Sequence, residues 1–270
     1  MYIETVDHFA SVARTKANFL RNAPLGFFVS SMMAGAFIGL GIILIFSVGS
    51  DADPAYRPLI MGASFGIALT LVIFAGADLF TSHAMIMPLG ALRGKVSPGQ
   101  MLACMVTSWL GNLAGCAVLA ALFVAGGGDA MLHSKSGYLL TVAAAKMNAP
   151  ALALFARAIL CNWLVCLAIW ISGRTQSDGA KCIVIFWCLF AFIASGYEHS
   201  IANMALLLIA LLSDHPDTVT WGGFATNMLW VTLGNIVSGS VIMALGYWVM
   251  SSPRTSTAPV KLFVVGGAAD

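Results

Sequence analysis

The sequence predicts an all-α integral membrane protein of six transmembrane helices, arranged as two inverted halves of three, with the second and fifth spans broken. Three observations carry this. Only 9% of the 270 residues are charged while 60% are hydrophobic, and the mean hydropathy is +0.91; soluble domains carry roughly 25% charged residues. Uncharged runs cover 25–49, 58–77, 96–128 and 218–253, each at or beyond the ~20 apolar residues that a spanning helix needs. Short motifs also recur in the two halves at nearly one spacing. The alternating strands of a barrel are absent, which leaves helices as the structure that satisfies its own backbone in lipid.

Residues 1–21 read as an amphipathic N-terminal helix. Ile3, Val6, Ala10, Ala13, Ala17 and Leu20 fall on one face, with Arg14, Lys16 and Arg21 off it. That pattern suits a helix lying in the membrane interface, and equally a cap packed on the cytoplasmic face. Glu4 and Asp7 stand where a secretory signal would be basic, so no cleavable signal is expected. Spans follow at 25–49, 57–92 (interrupted), 99–125, 150–173, 181–212 (interrupted) and 224–250, with 251–270 as a cytoplasmic tail. They form one transmembrane domain, its first repeat at 22–125 and its second at 148–250. An even number of spans puts both termini on one side. Arg14, Lys16, Arg21, Arg93, Lys95, Arg174, Lys181, Arg254 and Lys261 then share that side. The other side holds Arg57, Lys135 and Lys146 together with Asp51, Asp53, Asp129, Asp214 and Asp217, and Arg157 lies within the fourth span. This basic bias makes the termini cytoplasmic.

The halves match at three places. Asn22-Ala23-Pro24 recurs as Asn148-Ala149-Pro150, and Leu110-Gly111-Asn112 as Leu233-Gly234-Asn235. Between these markers each half has one span broken at an acid: "AGADLFTSHAM" around Asp78, and "SGYEHSIANM" around Glu198. With three spans per half, the second half enters the membrane in the opposite sense, the inverted repeat common in transporters. The pairs Gly35/Gly39, Gly62/Gly66 and Gly111/Gly115 are expected to let helices approach closely. Cys104, Cys116, Cys161, Cys166, Cys182 and Cys188 form no C-x-x-C pair and read as small core hydrophobes.

Ionisable side chains within a span are costly, about 2.5–3.5 kcal/mol on insertion scales, and face a pathway or polar interior. Asp78, Glu198 and His199 are so placed, next to Gly76 and Ser195-Gly196. The N-termini of half-helices favour anions, so the site looks built for a small anionic or hydrogen-bonding solute. Asp78 is expected to cap its half-helix or bind loop N–H groups, and Glu198 to hold its own loop or a neighbour. His199 is expected in the pathway, because histidine exchanges protons near neutrality. His83 has no assigned role, and His8, His133 and His215 are peripheral.

The segments "AGADLFTS" (75–82), "LCNWLVCLAIW" (160–170) and "ASGYEHSIANM" (194–204) resemble the signatures of the formate/nitrite transporter family, and the resemblance runs from about residue 20 to 250. The stretch 22–46, "TSHAM" (81–85) and Tyr197 are most similar to its nitrite-channel members. The resemblance implies an aquaporin-like fold, a homopentamer in the bacterial inner membrane with a pore in each protomer, and transport of nitrite or related small monovalent anions. It implies His199 as the central pore histidine with Thr81 as its partner, Phe65 and Phe192 as the outer constriction, and Leu69, Leu79 and Phe80 as the cytoplasmic one. Asn162 and Lys146 match family positions in and ahead of the fourth span. With Glu198 these complete the expected pathway, in which Lys146 concentrates anions and His199 bonds or protonates them.

Formate or hydrosulfide transport, or a neutral-solute channel of the aquaporin or ammonia type, are the alternatives. The Asn-Ala-Pro segments precede spans rather than sitting within the breaks, unlike the Asn-Pro-Ala of aquaporins. An enzyme is not expected. There is no H-E-x-x-H or G-x-S-x-G, and Glu198-His199 offers two adjacent ligands without a third. No metal, cofactor or nucleic-acid partner is expected either.

Overall fold

The computed structural model describes residues 2–132 and 137–251. His133, Lys135, Arg254, Lys261 and nearly all of the tail expected at 251–270 lie outside the described residues. Helix α1 (Ile3–Asn22) precedes α2 (Pro24–Gly49), and α3 (Arg57–Ser64) runs on through Phe65, whose dihedrals remain helical, into α4 (Gly66–Ala75). After α5 (Phe80–Leu92) come α6 (Pro98–Ala125), a turn of helix α7 (Asp129–Leu132) and α8 (Tyr138–Met147). The second half holds α9 (Ala151–Ser172), α10 (Asp178–Ala194), α11 (Ser200–Leu212) and α12 (Trp221–Val237). A π-helical segment, Ser238–Leu245, then leads into α13 (Gly246–Ser251).

By length and composition, five stretches of the described residues could cross a membrane: Pro24–Gly49, Arg57–Ala75, Pro98–Ala125, Ala151–Ser172 and Trp221–Ser251. Helix α10 has 17 residues, and α5 and α11 have 13 each. Thirteen residues reach about 20 Å, short of the ~30 Å hydrocarbon core. The helix starts follow local chemistry. Pro24 and Pro98 occupy first turns, where a missing N–H costs nothing. Ser97 and Gln100 form a reciprocal capping box, and Ser177 and Thr220 cap α10 and α12. At the end of α2, Arg57 gathers the free carbonyls: Nε donates to Gly49 O at 2.8 Å and Nη2 to Ala52 O at 2.9 Å.

The two halves close by the same device. Helix α2 packs along α6, and α9 along α12. A Cβ on Gly115 would come within 1.9 Å of the Met32 carbonyl oxygen, and one on Gly35 within 2.1 Å of Asn112 O. In the second half, a Cβ on Gly234 would meet Phe155 O at 2.5 Å. Glycine at these positions is what allows backbone to touch backbone. Gly66, counted with the others from its spacing, instead has ordinary room, 3.6 Å to its nearest neighbour.

Helix α1 packs against α5 and α2, its apolar face turned to the bundle. Val6, Phe9, Ala10, Ala13 and Ala17 are buried, while Ile3 is exposed. Phe9 stacks on Trp170, and Trp170 on Tyr247. Four cysteines (104, 116, 161 and 166) are core residues as expected; Cys182 is exposed and Cys188 half-buried, each flanking the buried stripe of Ile185, Leu189 and Phe192 on α10.

Gly115→Ala is expected to destabilise the protein by about 1–3 kcal/mol through overpacking. Gly246→Ala, where a Cβ meets nothing within 4 Å, is expected to be neutral or slightly stabilising. Thermal unfolding of the two variants in detergent measures the difference.

Candidate functional site

Two interruptions face each other in the interior. Helix α4 ends at Ala75 and α5 begins at Phe80; α10 ends at Ala194 and α11 begins at Ser200. Each is opened by a glycine in the left-handed region, Gly76 (φ 77°) and Gly196 (φ 67°), a conformation costly for residues with a Cβ. The chain after each glycine is held by one buried asparagine from the Leu-Gly-Asn repeat. Asn112 Oδ1 accepts from Phe80 N at 2.9 Å, while its Nδ2 donates to Asp78 O at 3.0 Å and Ser31 O at 2.7 Å. Asn235 does the same across the other half: Oδ1 accepts from Ser200 N at 2.9 Å, and Nδ2 donates to Glu198 O at 3.2 Å and Ala158 O at 2.9 Å. Sequence reasoning saw the motif as a repeat marker and missed this role; its signal was a polar amide kept inside each apolar run.

His199 stands at the centre. It is the N-cap of α11, its Nδ1 accepting from Ala202 N at 3.1 Å. The proton of the neutral ring therefore sits on Nε2, which lies 3.2 Å from Thr81 Oγ1 and donates to it. The expected His199–Thr81 contact is thus present across the two breaks. Phe192 stacks on the imidazole, with ring centroids 5.9 Å apart, and meets Phe65 edge-on at 5.5 Å.

His199 and Phe192 divide two spaces. An outer chamber of about 200 Å³ is lined by Lys146, Tyr197, His199, Asn203, Phe192 and apolar side chains of α2 and α3. Beyond it lies a void of about 10 Å³, walled by Ile38, Phe65, Leu69, Leu79, Val165, Leu189, Phe192 and His199, with room for no more than one water. The structure therefore brings together Phe65, Phe192, Leu69, Leu79, His199 and Thr81.

Two expected pathway residues, Glu198 and Asn162, stand one layer back. Glu198 is buried, and its Oε2 takes Lys146 Nζ at 2.7 Å and Asn203 Nδ2 at 2.6 Å. Asn162 lies behind Thr81, donating from Nδ2 to Thr81 O at 3.4 Å and Asn235 O at 2.7 Å. Phe80 lines neither space; it borders a shallow apolar groove with Leu102, Met105, Trp109 and Thr232, because its position in the first turn of α5 turns it towards α6 and α12. Lys146 is further fixed through its carbonyl, which accepts from Asn227 Nδ2 at 2.9 Å, and Asn227 Oδ1 accepts from Asn203 at 2.9 Å.

At the first break Asp78 is buried, and of its two expected roles capping α5 is not one it plays. Its Oδ2 accepts from Ser30 Oγ at 2.7 Å, and its Oδ1 faces Lys16 Nζ at 2.7 Å and His83 Nε2 at 3.2 Å. The N-cap of α5 is Leu79, which supplies no side-chain bond. Among the described residues no three His, Cys, Asp or Glu side chains converge as a metal site would require.

Comparison with known proteins gives one family. The model described as "Formate/nitrite transporter" matches residues 3–249. The nitrite transporter NirC of Salmonella typhimurium is 52% identical over 262 residues, 97% of each chain. A solved structure described as "FNT family ion channel" is 53% identical, with a TM-score of 0.89, covering 93% of this chain and 99% of that one. A second, a "pentameric formate channel with formate bound", is 26% identical with a TM-score of 0.71, covering 85% of this chain and 98% of that one.

Asn235→Leu is expected to leave Ser200 N and Glu198 O without a partner, at a cost of about 1–3 kcal/mol for each group left unpaired. Native-state hydrogen exchange should then show faster exchange at 199–203, together with a lower melting temperature.

Proposed function

The chain belongs to the formate/nitrite transporter family, and we propose that it carries nitrite and related small monovalent anions across the cytoplasmic membrane, through a pore in each protomer centred on His199. The observation that carries this reading is the position of the imidazole. It lines both the outer chamber and the inner void, bonded to Thr81 across the two helix breaks and flanked by Phe65, Phe192, Leu69 and Leu79. The likeness to NirC supports nitrite as the principal solute. Formate is the second candidate, supported by the formate-bound relative of the same fold.

In this reading the chain has six spans in a 3+3 inverted repeat, with 57–92 and 181–212 as the broken ones and both termini in the cytoplasm. The matching roles of Gly76 and Gly196, and of Asn112 and Asn235, support the repeat. The pentameric relative supports a homopentamer.

An anion entering the outer chamber meets Lys146, whose side chain is 19% exposed and paired with Glu198; it offers the anion an N–H donor while cancelling the repulsion of the acid. Hydrophobic walls then strip water, and desolvating a bare charge is the main barrier. His199 lowers it. In the neutral ring Nε2–H is a hydrogen-bond donor, given at rest to Thr81 Oγ1, on a side chain that lines both the chamber and the void. To act as an acid the ring must first take a proton on Nδ1, which ends the bond from Ala202 N. The cationic ring then passes the Nε2 proton to the anion, and the neutral acid crosses the apolar constriction. Protonation of the ring and fraying of the first turn of α11 are therefore one event.

Proteoliposomes loaded with protein and a pH-sensitive dye test the role of the histidine. Nitrite flux through the wild type should rise as external pH falls and should carry protons with it; His199→Asn should abolish that co-movement. A His199→Asn variant with the full pH-dependent flux of the wild type would refute the histidine role. Running formate in parallel ranks the two solutes.

A further inference from the structure

Asp78 and Glu198 occupy equivalent places. Each precedes the N-cap of a half-helix, and each backbone N–H reaches a carbonyl of the preceding long helix at 3.4 Å, Ser30 O and Arg157 O respectively. Each carbonyl accepts from an asparagine of the Leu-Gly-Asn repeat, and each carboxylate holds a lysine at 2.7 Å. The lysines also correspond. Lys146 lies in the last turn of α8, four residues before Pro150; Lys16 lies in α1, eight residues before Pro24, one helical turn further back. Helix α1 therefore stands to the first half as α8 stands to the second.

The neighbours of these acids give the pairing its meaning. Leu79 follows Asp78 and His199 follows Glu198, and both side chains wall the inner void. A bare carboxylate one residue from that wall, in a poorly polarisable interior, repels a passing anion strongly. The other group on Asp78 Oδ1, His83, is a cation only when protonated, and Ser30 is neutral. The standing counter-charge is Lys16, whose side chain is 28% exposed.

We propose that Lys16 is a positioning residue for anion passage, neutralising Asp78 at the inner break as Lys146 neutralises Glu198 at the outer one. Helix α1 is then a working part of the conduit. This rests on the anion-transport reading above. The role of Lys16 is indirect: it acts through Asp78 and does not itself hold the solute.

Nitrite flux is compared in proteoliposomes of wild type, Lys16→Met, Lys16→Arg, Asp78→Asn and the Lys16→Met/Asp78→Asn double variant, with oligomer size checked by light scattering. Lys16→Met should lower maximal flux roughly tenfold, the effect of a small rise in barrier, with the half-saturating concentration little changed. Lys16→Arg should restore flux, and so should neutralising Asp78 in the double variant. Wild-type flux in Lys16→Met, or a double variant as slow as Lys16→Met, overturns the proposal. Should Lys16→Met fail to fold, the test moves to Asp78→Asn: once the acid is neutral Lys16 must be dispensable, and a tenfold gap between Asp78→Asn and the double variant overturns the proposal. Absence of nitrite flux in the wild type overturns the transport reading and this inference together, whereas normal wild-type flux with an unaffected Lys16→Met overturns this inference alone.

Discussion

An interrupted helix in a buried interior frees backbone N–H and C=O groups that have no water to turn to, and such groups are expensive unless paired. Everything at the centre of this protein depends on meeting that demand twice. One carboxamide can accept and donate at once, which is why an asparagine serves at each site. Asn112 and Asn235 each take an amide of the resuming helix, a carbonyl of the broken segment and a carbonyl of a packed neighbour. The adjacent glycines, Gly111 and Gly234, let α6 and α12 come close enough for those bonds to form. Close packing and amide pairing are therefore one device, written as a three-residue motif.

Charge is handled by the same duplicated plan. Two carboxylates, 1% and 2% exposed, are held within the bundle, where an unpaired charge would cost several kcal/mol. Each has a lysine delivered from the helix that leads into its half, α1 or α8, and hydroxyl or amide groups complete the shell, Ser30 at one and Asn203 at the other. The halves differ where chemistry requires it. At the position that holds His199 in the second half, the first half holds Leu79, so the void is lined by an imidazole from one half and an aliphatic side chain from the other.

Much of this was legible in the sequence. The expected spans agree with the helix bounds to within three residues, because uncharged length is a strong signal, and the breaks fell where glycine meets an acid. The His199–Thr81 contact and the aromatic and leucine walls came from family resemblance, and the coordinates place those side chains together. What escaped was long-range or directional. Lys16 and Asp78 are far apart in the chain, and nothing local ties a basic residue on an amphipathic helix to one buried acid. Phe80 sits beside Leu79 in sequence yet turns to another face, which only the helix start at Phe80 decides. Helix α8 was too short to register as apolar periodicity, and the π-helical turn at Ser238–Leu245 has no sequence mark beyond a run of small residues.

His199 closes the first turn of its own helix through one ring nitrogen and meets Thr81 with the other. In the neutral ring both nitrogens are engaged, so the imidazole is held in one orientation, its N–H aimed at Thr81 and its lone pair at the helix it starts. Such a ring works as a latch between the starts of α5 and α11, closed while it is neutral and opened on one side by a proton at Nδ1.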